Sequence, residues 1–100
     1  MKLGMLINTD RHRDEVIGIA RAALARGHEV TLFTMDTGTK LLGDPAFTAL
    51  CAERGLSMSF CDLNAKGYDV STVGAASGAG RGSQYDNAVM VNRADRVIVL

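Results

Sequence analysis

Tryptophan is absent from this chain of 100 residues, and Phe and Tyr bring the aromatic share only to 5%. So few flat side chains leave no platform on which bases could stack, which argues against single-stranded nucleic acid as a partner. Net charge is absent too: 11 basic residues balance 11 acidic ones. No overall field therefore draws in nucleic acid or an anionic membrane, and no charge barrier opposes self-association. Cysteine is scarce. Cys51 and Cys61 form neither a CxxC motif nor a disulfide framework, and free thiols suit a reducing, cytoplasmic compartment. No apolar run approaches the roughly 18 residues of a membrane helix. The stretch Met1 to Thr9 lacks the basic region, long apolar core and cleavage site of a secretion signal.

What is present is a core-forming composition, 47% hydrophobic and 22% charged, in a length that suits one domain, residues 1–100. Leu3 to Ile7 reads as a buried strand ending at Asn8-Thr9-Asp10. Val16, Ile19, Ala20, Ala23 and Leu24 then fall at helical spacing, with Asp14 and Glu15 in the first turn and Gly27 beyond the end. Glu29 to Thr34 is a second strand, so the pattern is the βαβ unit of a parallel sheet. A loop is expected at Asp36-Thr37-Gly38, and a second helix from Pro45 with Phe47, Leu50 and Cys51 on one face, closed by Gly55. Leu56 to Phe60 gives a third strand and Val70 to Val73 a weak fourth. Gly74 to Gly82 reads as a flexible stretch, Gln84 to Arg93 as a helix, and Val97 to Leu100 as the final strand. The expected fold is a three-layer α/β sandwich with a mainly parallel sheet of four to five strands.

In such sheets ligands bind outside the carboxyl ends of the strands. That rim collects Asn8, Thr9, Asp10 and His12 after the first strand, Asp36, Thr37 and Gly38 after the second, and Cys61, Asn64 and Lys66 after the third. Cys61 is the only good nucleophile among them. A thiol at a strand end, facing a polar segment that carries Lys66, can be exposed and held partly as thiolate, the reactive form.

At these residues the chain resembles the DsrE/DsrF-like proteins, which include the TusD-type subunits of sulfur-relay complexes. The matching segments are Gly27-His28-Glu29-Val30-Thr31-Leu32-Phe33, Asp36-Thr37-Gly38, Cys61 with Ala65-Lys66-Gly67, and Ala94-Asp95-Arg96-Val97-Ile98-Val99-Leu100. Each is short; their order and spacing along nearly the whole chain carry the likeness. The glycine-rich 74–82 stretch and the modest charge after Cys61 depart from the family pattern. The resemblance implies a compact α/β fold and trimers or hexamers. It also implies a cysteine after the third strand, Cys61 by position, that accepts a persulfide from a donor protein and passes it to an acceptor. Asn8, Thr9, His12, Asp36, Gly38 and Lys66 would form the surrounding pocket, with Lys66 favouring the thiolate. No metal or organic cofactor is implied.

Competing readings attach to the same residues. Cys61 can be an ordinary small hydrophobe at a strand end, leaving a non-catalytic oligomeric subunit that binds a small anion at the rim or only assembles. Cys51 reads as core. His12 and His28 lack metal-ligand spacing. Arg11-His12-Arg13 can steer an anion, but as cations at a helix start they oppose its dipole. The glycines of 74–82 lack the GK[ST] of a phosphate loop and the context of a dinucleotide fingerprint.

Overall fold

The computed structural model describes residues 1–71 and 78–100. Five strands form one sheet: β1 (Lys2–Ile7), β2 (Glu29–Thr34), β3 (Leu56–Cys61), β4 (Gly80–Gly82) and β5 (Arg96–Val99). They lie in the order β4-β3-β2-β1-β5, and every pairing is parallel. The expected α/β class therefore stands, with the sheet wholly parallel.

Alternation along the strands splits the sheet into two faces. Leu3, Met5, Ile7, Val30, Leu32, Met58 and Phe60 line one face, and on it lies the main core. The helix α1 (Arg13–Ala25) buries Val16 and Ala20 there, its acidic residues in the first turn and Gly27 in the left-handed region at its end. The short helix α2 (Pro45–Thr48) adds Phe47. Its start is fixed by Pro45 and by Asp44, whose carboxylate accepts the Ala46 N–H at 2.9 Å. A third helix, α3 (Asp62–Gly67), contributes Ala65 to the same core.

Among the described residues the other face carries only α4 (Gln84–Arg93), closed at its N-terminus by the reciprocal Ser83–Asp86 capping box. It packs on β1 and β2. Gly4 permits that approach, because a Cβ there would press within 3.2 Å of both Ala94 and Met90. Met90, Phe33 and Cys61 form a second, smaller cluster beneath α4, flanked by Leu6 and Met35.

Several expectations change. Asp36-Thr37-Gly38 is not a loop but opens a 3-10 helix, Asp36–Gly43, that buries Thr39, Leu41 and Leu42. The helix from Pro45 stops at Thr48 and continues as a 3-10 turn, Ala49–Ala52. Val70 and Ser71 are not strand, and the rest of that expected strand, with residues 74–77 of the glycine-rich stretch, lies outside the described residues. The fourth strand is instead Gly80–Gly82, inside that stretch. Among the described residues no helix is long and apolar enough to cross a membrane.

Candidate functional site

The rim at the carboxyl ends of β1, β2 and β3 is assembled largely by backbone. Ile7 ends β1, and its carbonyl accepts the Met35 N–H at 2.9 Å; the Gly38 N–H in turn reaches the Met35 carbonyl at 2.9 Å. A Cβ on Gly38 would collide with the Ile7 carbonyl. Gly38 is therefore a packing requirement of the 3-10 helix, beside any role in binding. Asn8 is held by its backbone N–H, which donates to Leu100 at 3.0 Å. His12 precedes α1 with no side-chain capping bond, and its carbonyl receives the Val16 N–H. Among the described residues no side-chain hydrogen bond joins Asn8, Thr9 or His12 to Cys61 or Lys66.

Asp36 is the best-connected rim residue. Its backbone is left-handed, at φ 49°, a conformation uncommon outside glycine. Two contacts hold it there: its N–H donates to the Asn64 side-chain oxygen at 2.8 Å, and its carboxylate accepts the Tyr68 hydroxyl at 2.5 Å. The Lys40 ammonium sits 5.2 Å from the centre of the Tyr68 ring, within cation–π reach. Donation to Asp36 raises the Tyr68 phenol above its ordinary value, helped by partial desolvation and by the carboxylate charge. Tyr68 and Lys40 carry no local motif; Tyr68 lies 32 positions from Asp36, so only folding reveals the pair.

Cys61 ends β3 and stands at the N-cap position of α3, without a side-chain capping bond. It is not exposed as its place at a strand end suggests. Only 4% of it is accessible, beneath Phe33 and Met90. The reason is the pleat: Cys61 follows Ser57 and Ser59 on the face that α4 covers, and α4 reaches it with Met90. Lys66 does not serve the thiol either. Its ammonium pairs with Asp62 one helical turn away, at 2.9 Å, and the same carboxylate meets Arg81 at 3.4 Å. The spacing of Asp62 and Lys66 alone favours that pair.

Cys51 is half-buried. Its thiol donates to the Met58 sulfur at 3.7 Å, and burial pushes it above the usual thiol range. Among the described residues no group of three His, Cys, Asp or Glu side chains could hold a metal ion.

No family model matches the chain, and no curated protein matches it. Solved structures do. The YchN protein of E. coli superposes with a TM-score of 0.71 at 15% identity, over 99% of this chain and 97% of that one. A conserved protein of unknown function from Bacteroides thetaiotaomicron, BT1422, gives 0.79 at 13% identity, over 99% and 94%. The chain shares their fold. Identity this low carries the likeness no further.

Proposed function

We propose that this protein is a cytoplasmic sulfur carrier of the DsrE type, related to sulfurtransferases, with Cys61 as the persulfide-bearing residue. The observation that carries the reading is the position of Cys61. It is the one thiol at the carboxyl end of a strand in an all-parallel sheet, between the end of β3 and the start of α3. The fold shared with YchN supports it.

In the transfer the Cys61 thiolate attacks the outer sulfur of a donor persulfide, R–S–SH. The donor S–S bond breaks, the donor leaves as R–S⁻, and Cys61 keeps the outer sulfur as Cys–S–SH; an acceptor thiolate repeats the exchange. Burial of the thiol requires that α4 withdraw when a donor or acceptor engages, and shields a loaded persulfide from water meanwhile. Asn8, Thr9, His12, Asp36 and Gly38 belong to the rim that a partner would contact. A trimer or hexamer is part of the proposal, supported by Val97 and Val99 on the edge strand β5, the latter 56% exposed.

A second reading has its own support. Cys61 is sealed and Lys66 already paired, as in a binding or assembly subunit that keeps the fold without the chemistry. Intact-protein mass spectrometry separates the two. Reduced protein incubated with a sulfane-sulfur donor should gain one sulfur atom, reversibly with reductant, and Cys61→Ser should not. No gain with several donors refutes the carrier and leaves the assembly subunit.

A further inference from the structure

Because α4 lies over β1 and β2, part of its face of the sheet is open among the described residues. There a groove of about 320 Å³ runs along α4 from Asp86 to Arg93, at the lower end of the range for small-molecule sites. Its floor is a set of hydroxyls, Thr31, Ser57 and Ser59, the first two 3.5 Å apart. Its roof is apolar, from Val89 and Met90. Register puts Lys2 beside Glu29 at the start of the floor, and Arg93 stands above them in the last turn of α4.

The Lys2, Glu29 and Arg93 side chains are exposed, and none of them makes an ion pair among the described residues, so all three can meet a ligand. They set charges of both signs around one concave, hydroxyl-floored space. Asp86 also lines the groove, but it stands in the first turn of α4, about two helical turns from Arg93, with its carboxylate accepting the Ser83 N–H at 2.8 Å. Beside Lys2 and Arg93 a phosphate would meet the repelling Glu29 carboxylate, and a polyamine would meet the two repelling cations. A net-neutral ligand with separated charges meets neither penalty.

We infer that this groove binds a small zwitterion of the α-amino-acid class. Arg93 and Lys2 donate to its carboxylate, Glu29 accepts from its ammonium, and the hydroxyls of Thr31, Ser57 and Ser59 complete its hydrogen bonds. The charged end of the site, at Lys2, Glu29 and Arg93, lies at the opening ends of the strands, away from the rim, and its binding uses no Cys61 chemistry.

The test is a titration of the ¹⁵N-labelled full chain, followed by amide chemical shifts, with glycine, L-alanine and L-leucine. Acetate, methylamine and inorganic phosphate serve as single-charge controls. Saturable shifts at Thr31, Ser57, Ser59 and Arg93 are expected with the amino acids, at affinities about tenfold or more above those of the controls. Arg93→Gln and Glu29→Gln should each weaken binding about tenfold or more while keeping a folded spectrum, as loss of one charge-assisted bond implies. No saturable shift up to about 10 mM, weaker than any useful affinity, overturns the inference. So does binding of phosphate or acetate as tight as that of the amino acids.

Discussion

Replacing Gly38 with alanine adds one methyl group at the point where the 3-10 helix Asp36–Gly43 crosses the end of β1. The new Cβ would collide with the carbonyl of Ile7. That oxygen belongs to the backbone of a buried strand and already accepts the Met35 N–H at 2.9 Å, so it cannot turn aside as a flexible side chain would. The 3-10 helix must move instead, and with it the buried Thr39, Leu41 and Leu42. Overpacking of a rigid site costs about 1–3 kcal/mol, and loss of the Met35–Ile7 bond adds about 1 kcal/mol. The expected loss is about 2–4 kcal/mol. For a domain of this size that lowers the melting temperature by roughly 10–25 °C.

Gly43→Ala is the internal control, because it closes the same 3-10 helix and a Cβ there meets nothing within 4 Å. It should be neutral, or stabilise by up to about 1 kcal/mol through the unfolded chain. Thermal and urea denaturation of both variants, followed by circular dichroism, measure the difference. If Gly38→Ala melts within a few degrees of the parent, the contact with Ile7 is not what requires glycine. Its place at the rim would then need another cause.

Gly18→Ala, in the interior of α1 with open space around it, should stabilise by up to about 1 kcal/mol, read from the urea midpoint. Asp44 is held below the ordinary carboxyl range, chiefly by its hydrogen bond from Arg13 and then by the Ala46 N–H. Its contribution is present above about pH 4 and is lost as pH falls through the folded value. The stability gap between the parent and Asp44→Asn should therefore be open at pH 7, narrow as pH falls below about 4 and close below the folded value; a gap that does not narrow with falling pH contradicts the assignment. Tyr68 has the opposite sign: its folded value is raised by Asp36, so the bond stabilises fully below about pH 10 and is lost as pH rises through that value. Ultraviolet titration of tyrosinate should show the Tyr68 midpoint falling in Asp36→Ala, and an unchanged midpoint would remove Asp36 as the cause.

The frame of the molecule was legible wherever period and punctuation agree. Val16, Ala20 and Leu24 at helical spacing, with Gly27 behind them, marked α1, whose end the structure finds with Gly27 at φ 83°. The bounds of the Gln84–Arg93 helix are those expected. β4 was hidden because Gly80-Arg81-Gly82 has no apolar alternation; it is a strand only by pairing with Ser59, Phe60 and Cys61 of β3. The 3-10 helix was hidden because Asp36-Thr37-Gly38 carries turn chemistry and its helical bonds are short-range. At the rim, the sequence brought Asp36 and Asn64 to the same edge, and they do bond there. It held no sign of Tyr68, nor of the cover on Cys61, because both arise from residues distant in sequence.

That cover bears on how the carrier would work. The two faces of the sheet are unequal. Among the described residues, one is sealed by α1, α2, α3 and the 3-10 segments around the main core, and the other has α4 alone, which contributes to a cluster of three buried residues. Local opening costs least where few buried apolar contacts must part. Lifting α4 breaks the contacts of Met90 with Phe33 and Cys61 and leaves Phe47, Leu50 and Phe60 in place. The thiol can therefore be uncovered without unfolding the main core. Burial of Cys61 thus argues against a permanently exposed nucleophile, but it does not argue against transfer during an encounter that displaces α4. A partner that binds the open state better than the closed one supplies the free energy for that displacement. The same helix roofs the groove with Val89 and Met90, so Met90 belongs to both places, and any movement that uncovers Cys61 also reshapes the groove.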